Sequence, residues 1–134
     1  MSSLQLIQLV NSPTRLGSLS TSDNQGNINA AVVGSARMVE ESTLILGLGD
    51  NRTLHNLRSH SKAVYLAFEP ATSLLEWRGA RLYLEVVAID EDGPHLEQII
   101  CDVRANAGEI AARTIRAAVL FRITEIRPLI DRRK

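Results

Sequence analysis

Apolar positions recur along the chain with helical spacing in some stretches and strand-like spacing in others, and the changes between them divide it into short elements. Leu4, Leu6, Ile7 and Val10 are spaced so that most share one face of a short N-terminal helix. Asn11-Ser12-Pro13 ends that helix, because proline disfavours helical geometry in the residue before it. Residues 15–22 (RLGSLSTS) predict a strand, and Asp23-Asn24-Gln25-Gly26-Asn27 is rich in tight-turn residues. Residues 28–39 (INAAVVGSARMV) predict a second strand, so the two form a hairpin. Glu40-Glu41-Ser42 turns the chain into a third strand, Thr43–Leu48. The opening therefore predicts an antiparallel meander and not a strand–helix–strand unit.

Leu54 and Leu57 supply the buried side of a helix running to about His60. The β-branched and aromatic content of Lys62–Glu69 (KAVYLAFE) suits a strand. After a loop at residues 70–73, residues 74–90 (LLEWRGARLYLEVVAID) predict one long strand, with Gly79 marking a bulge or bend. Pro94 suits the first position of a helix. Leu96, Ile99, Ile100 and Val103 follow at the i, i+3, i+4, i+7 positions of its buried face. Gly108 ends or interrupts that helix, residues 110–115 suggest a further turn, and residues 117–126 (AAVLFRITEI) a last strand. The residues Asp131-Arg132-Arg133-Lys134 form a polar tail closing the domain. The sum is a mainly β fold: roughly six strands in an antiparallel barrel, with three short helices at its edges.

Length and composition narrow the classes. A chain of 134 residues, 45% hydrophobic and 22% charged, predicts one globular domain spanning residues 1–134 with a real core. The 15 basic and 15 acidic side chains cancel, which argues against a nucleic-acid partner. A single cysteine, Cys101, excludes an intrachain disulfide and a cysteine-clustered zinc site, and no metal is expected. No secretory signal pattern and no membrane-length apolar run is visible, so the expectation is a soluble cytoplasmic protein with no membrane partner.

Candidate chemistry concentrates in the stretch from Gly47 to Leu57 (GLGDNRTLHNL), where a strand passes two glycines into a helix. Asp50 or Asn51 can cap that helix, placing Arg52 and Thr53 beside free backbone N–H groups and the positive end of the dipole. A phosphate would be held there by N–H donors, a hydroxyl and a guanidinium. The alternative is an ordinary capped first turn. Gly47-Leu48-Gly49 lacks the third glycine and spacing of a Rossmann fingerprint. No nucleophile elbow, Walker loop or paired-histidine motif occurs, and His55, His60 and His95 read as separate solvent-facing side chains.

Four pieces of the chain, within residues 15–90, resemble the pyridoxamine 5′-phosphate oxidase-like family of flavin-binding split barrels, in particular its small stand-alone members. They are the hairpin LSTSDNQGNINAAVVGSARMV, the strand and turn TLILGLGDNRTLHNL, the strand KAVYLAF, and Trp77-Arg78-Gly79-Ala80. The resemblance implies a six-stranded antiparallel split β-barrel of Greek-key type, a homodimer with FMN at the subunit interface. It implies that Arg52 and Thr53, with Asn51 at the same turn, hold the FMN phosphate. Asn56 would steady the helix or reach the ribityl chain. Gly34 and Ser35, together with Leu46, Gly47 and Leu48, would line the isoalloxazine ring. Trp77 and Arg78 would come from the other subunit, with a core or dimer-seam role for Trp77 as the alternative.

The basic residues that the founding enzymes use on pyridoxamine phosphate have no match, so vitamin B6 oxidase activity is not expected. Arg78, Arg81, Arg113 and Arg116 are candidates for an anionic substrate, or else solvated or dimer-paired. Two functions lead, ahead of a third reading as a dimeric interaction domain with no cofactor. One is an FMN-dependent oxidoreductase or electron-transfer protein with a small-molecule substrate or electron donor. The other is a non-catalytic module that binds, stores or senses flavin, haem or a deazaflavin. The uncovered edges of a small open barrel also point to a self-partner.

Overall fold

A computed structural model describes residues 1–131, so the basic end of the tail, Arg132 to Lys134, lies outside the described residues. Among the described residues, seven antiparallel strands form one sheet in the order β2-β1-β5-β6-β7-β4-β3. They are β1 (Leu16–Ser22), β2 (Ile28–Val32), β3 (Arg37–Glu40), β4 (Thr43–Leu48), β5 (Lys62–Glu69), β6 (Arg78–Asp90) and β7 (Ala117–Pro128). Four helices accompany them: α1 (Ser3–Val10), α2 (Arg52–Ser59), α3 (Pro94–Ala107) and α4 (Glu109–Thr114).

The strand order corrects the expected meander. β1 and β2 do form a hairpin at one end of the sheet, and β3 pairs with β4 at the other end. Residues 28–39 are therefore two strands joined by the crossover at residues 33–36. An unbroken apolar and small-residue run does not reveal that its two halves face different partners. The crossover also dictates curvature. In a flat sheet, six spacings of about 4.8 Å would separate β2 from β3 by about 29 Å. The backbone steps from Val32 to Arg37 reach at most about 18 Å. The sheet must curl until its ends approach, and a split barrel results.

A second correction concerns residues 74–90. Leu74–Glu76 is a single 3-10 turn, and the strand starts at Arg78. Gly79 marks no bulge: it sits in regular register opposite Phe68, and the register shifts fall later, between Tyr83 and Leu84 and between Val86 and Ala88. Its lack of a side chain has another cause, since a Cβ there would lie 2.2 Å from the Ala67 carbonyl oxygen. The seventh strand and the fourth helix are the remaining departures from the expected tally.

β4 is buried from Leu44 to Leu48 because both its faces are covered. Leu44, Leu46 and Leu48 point into the main core with Tyr65, Leu82 and Phe121. Ile45 packs outward with Leu96 and Ile99 of α3 and Ala118 of β7. The predicted stripe on α3 is thus the face that covers β4 and β7. α1 is fixed by a capping box between Ser2 and Gln5. Asn11 at its end pairs with the Met38 backbone as a strand would, donating to the carbonyl at 2.9 Å and accepting from the N–H at 2.8 Å.

Candidate functional site

Helix α2 starts as the sequence predicts. The Asn51 side-chain oxygen accepts from the Leu54 N–H at 3.0 Å, and the Asn51 carbonyl accepts from His55 at 3.1 Å. The N–H groups of Arg52 and Thr53 are left without a partner among the described residues, as expected for a first helical turn. Leu54 and Leu57 are buried, and Arg52 is exposed with no ion pair among the described residues. Asp50 places a carboxylate at the same turn, held by His55 at 2.8 Å.

Thr53 and Asn56 face inward and tie α2 to the first hairpin. Thr53 is 2% exposed, and its hydroxyl accepts from the Asn29 amide at 3.2 Å. The Asn56 amide donates to the Thr21 hydroxyl at 3.1 Å. Thr21 and Asn29 are themselves opposite one another in the β1–β2 ladder. These four side chains form a polar seam under α2. Asn56 therefore steadies the helix, while the Thr53 hydroxyl keeps its own hydrogen available for a further acceptor.

A cleft of about 880 Å³ opens beside this turn. One wall is the crossover with the end of β4, and the other is α3 and α4 through Asp102, Val103, Asn106 and Thr114. Six of the expected residues line it together: Gly34, Ser35, Gly47, Leu48, Asn51 and Thr53. The Ser35 hydroxyl accepts from the Gly47 N–H at 2.9 Å and donates to its carbonyl at 3.0 Å, extending the β3–β4 ladder by one side chain. Gly47 has a packing reason as well, because a Cβ would meet Ile99 at 2.5 Å. A Cβ at Gly34 would meet nothing within 4 Å, so this position is open toward any occupant.

Five expected residues stand apart from the cleft lining. Leu46 is fully buried in the main core. Arg52 and Asn56 sit on the outer and inner faces of α2. Trp77 stacks on Phe68, with ring centroids 5.5 Å apart and planes 2° from parallel, and donates its indole N–H to the Ala71 carbonyl. Arg78 is 3.9 Å from Glu69. The other candidate arginines also have partners within the chain. Arg81 donates to the Pro128 carbonyl and to Asp131, whose carboxyl that bond holds below its ordinary value. Arg113 pairs with Glu109, and Arg116 donates to the Arg113 carbonyl.

Sequence reasoning missed Arg15, which is 8% exposed and lines the cleft from the core side. Its Nε donates to the Val10 carbonyl at 2.9 Å, and its Nη2 to the Ala36 and Gly34 carbonyls at 2.7 and 3.4 Å. No carboxylate pairs with it among the described residues. The guanidinium lies 5.7 Å from the centre of the Tyr65 ring, and the Tyr65 hydroxyl donates to the Val33 carbonyl at 2.8 Å. Burial pushes the Tyr65 phenol up to about 12, with Arg15 acting in the opposite direction. No signal in the sequence separates Arg15 from a solvated arginine at a strand start. Among the described residues no group of three or more His, Cys, Asp or Glu side chains could hold a metal ion. No helix among them is long and apolar enough to cross a membrane.

No family model and no curated protein sequence matches the chain. Solved structures do. An FMN-binding protein from Syntrophomonas wolfei subsp. wolfei aligns with a TM-score of 0.83 at 22% identity, over 97% of this chain and 87% of that one. A candidate pyridoxamine 5′-phosphate oxidase from Lactobacillus delbrueckii aligns with a TM-score of 0.67 at 18% identity, over 94% and 92%. The haem storage protein HutZ from Vibrio cholerae aligns with a TM-score of 0.65 at 19% identity, over 93% and 88%. The chain has the pyridoxamine 5′-phosphate oxidase-like split-barrel fold. At these identities the likeness establishes the fold, and the ligand must be argued from the cleft.

Proposed function

We propose that this chain binds a flavin, FMN in the first place, in the cleft between the crossover and α3–α4. The observation that carries this reading is a cleft of about 880 Å³ with an open glycine, Gly34, on one wall and unpartnered N–H groups at the start of α2. That volume lies within the roughly 300–1,000 Å³ of ordinary cofactor sites. The phosphate takes the N–H groups of Arg52 and Thr53, the Thr53 hydroxyl and the free Arg52 guanidinium, with Asn51 fixing the turn. The ring lies along Gly34, Ser35, Gly47 and Leu48. The FMN-binding protein of Syntrophomonas wolfei, similar over nearly the whole chain, supports the same ligand class.

Bound flavin supplies the redox chemistry, and the chain's own residues bind and orient it. Among the described residues the cleft lining holds no His, Cys or Tyr, and its one carboxylate, Asp102, pairs with Arg37 at 3.3 Å. This lining favours a flavoprotein that exchanges electrons with a donor or small substrate over one that runs its own acid–base chemistry. It also supports the second reading, a flavin or deazaflavin carrier without turnover. A haem reading fits less well, because the lining includes no imidazole, thiolate or thioether to ligate iron.

A second copy of the chain completes the site. Ile28 and Val32 on edge strand β2 are 82% and 86% exposed, an apolar edge of the kind that proteins cover. Trp77 and Arg78, which the chain does not bring to its own cleft, belong to the site from that copy. The absorbance spectrum of purified protein, with and without added FMN, tests the reading, and no flavin bound in either case would overturn it. Substituting Arg52→Ala and Thr53→Ala together should weaken FMN at least about tenfold while leaving riboflavin affinity unchanged. Equal affinity for both flavins in the parent protein would place the phosphate elsewhere. Steady-state reduction by NAD(P)H separates oxidoreductase from carrier.

A further inference from the structure

Three of the four crossover carbonyls are bonded from the core side. Val33 receives the Tyr65 hydroxyl, and Gly34 and Ala36 receive the Arg15 guanidinium. The N–H groups of Gly34, Ser35 and Ala36 have no partner among the described residues, although the Val33 N–H just before them donates to Gly17 at 3.0 Å. These three residues line the cleft. Gly34 is exposed and Ser35 half-buried, so donors left unpaired there are open to water or to a bound acceptor.

The group that fixes the carbonyls is itself unusual. Arg15 is more than nine-tenths buried, and carbonyl oxygens, without a carboxylate, surround its charge. A planar fork can bridge Val10 at the end of α1 with Gly34 and Ala36, whereas a lysine ammonium is a single point that cannot span all three. Its positive charge beside the cleft adds to the pull of the free N–H groups on an electron-rich edge.

We propose that Arg15 is the positioning residue of the ligand site. By holding the Gly34 carbonyl on the core side, next to the Val33 carbonyl that Tyr65 holds, it keeps the Gly34 and Ser35 N–H groups, on the far side of those two peptide planes, aligned as a pair of donors. The pair receives the acceptor-bearing edge of a flat heteroaromatic ring, one that carries carbonyl oxygens and unprotonated ring nitrogen. This assignment rests on the flavin reading for the identity of the ring, and the ordering of the crossover stands apart from it.

The test compares the parent chain with Arg15→Lys and Arg15→Gln, each first checked for cooperative thermal unfolding. FMN and riboflavin affinities should both fall about ten- to hundredfold, because the ring edge and not the phosphate loses its partners. The visible absorption band of the flavin still bound should shift, since hydrogen bonds to the ring edge set its position. A folded Arg15→Lys protein with parental affinities and an unshifted band overturns the proposal. Hydrogen exchange without ligand reads the ordering role by itself. Amides that anchor the crossover at both ends, Val33 on Gly17 and Met38 on Asn11, should exchange at least about tenfold faster in Arg15→Lys. Unchanged exchange overturns the ordering role even if no flavin binds. A parent protein that binds neither flavin, with faster exchange in the variant, instead removes the flavin reading and keeps the role of Arg15 in ordering the donors. Should Arg15→Gln fail to fold, Arg15→Lys alone decides.

Discussion

Gly34 and Gly79 belong to the two segments that the sequence draws toward one ligand, yet the structure uses them in opposite ways. Gly79 is already spent on the protein: its missing Cβ makes room for the Ala67 carbonyl across the β5–β6 ladder. Gly34 has no protein atom in the corresponding space and lines a cleft. The same residue type is a packing device in one place and an opening in the other. The neighbourhood differs in kind as well. Trp77 and Arg78 meet partners on the protein surface, while Gly34 and Ser35 are fixed by buried or half-buried groups. A glycine indicates a ligand only when nothing in the chain fills its space.

The comparison breaks most sharply on Gly79→Ala. The added methyl collides with backbone and not with a movable side-chain tip, so denaturant unfolding should show a loss of about 3 kcal/mol. A loss below about 0.5 kcal/mol would mean that the two glycines are equivalent after all.

The next effect belongs to the cleft side and is read by pH. The Tyr65 phenol ionises at about 12 in the folded chain against an ordinary value of 10.0. Its contribution is complete below pH 10.0 and is lost as pH rises through about 12, which amounts to about 2–3 kcal/mol. Unfolding titrations across that window should show the decline in the parent chain, and Tyr65→Phe should remove it. An identical slope in both proteins would mean that burial does not hold the Tyr65 phenol neutral.

Gly34→Ala sharpens the contrast further. Stability should stay the same or rise by less than about 1 kcal/mol, because the methyl enters open space. FMN affinity measured by fluorescence quenching should nonetheless fall about tenfold. Unaltered binding would move the ring off this wall.

The smallest effect is expected from Trp77→Ala, which removes one stack on Phe68 and should cost about 1 kcal/mol of stability. Sedimentation of the same variant, with and without FMN, tests the second copy. Weaker dimerisation in step with weaker flavin binding supports Trp77 as part of the site, and parental values for both remove it.

Much of the fold was legible because local pattern and burial agree. Thr43–Leu48, Lys62–Glu69, the α2 cap at Asn51 and the α3 stripe all follow from periodicity and turn chemistry. The break at residues 33–36 was not legible, since Val33 and Ala36 are as buried as strand residues and only strand partnership ends there. The cleft was half legible. Polar residues at a helix start announce free N–H groups, so Asn51 and Thr53 could be found. The wall formed by α3 and α4 comes from far along the chain, and Arg15 acts through backbone carbonyls that no sequence pattern encodes.

The brevity of the crossover has a consequence for how the chain tolerates change. Loops normally absorb insertions at little cost, because closure entropy grows slowly with length. Here the linker is a ruler: it joins the two ends of a seven-stranded sheet and so sets the girth of the barrel. Lengthening it would relax that girth, while removing a residue would pull the edge strands out of register. Among the turns of this molecule, the one between β2 and β3 should be the least forgiving of insertions and deletions, a property visible in any library of single-residue indels scored for folding.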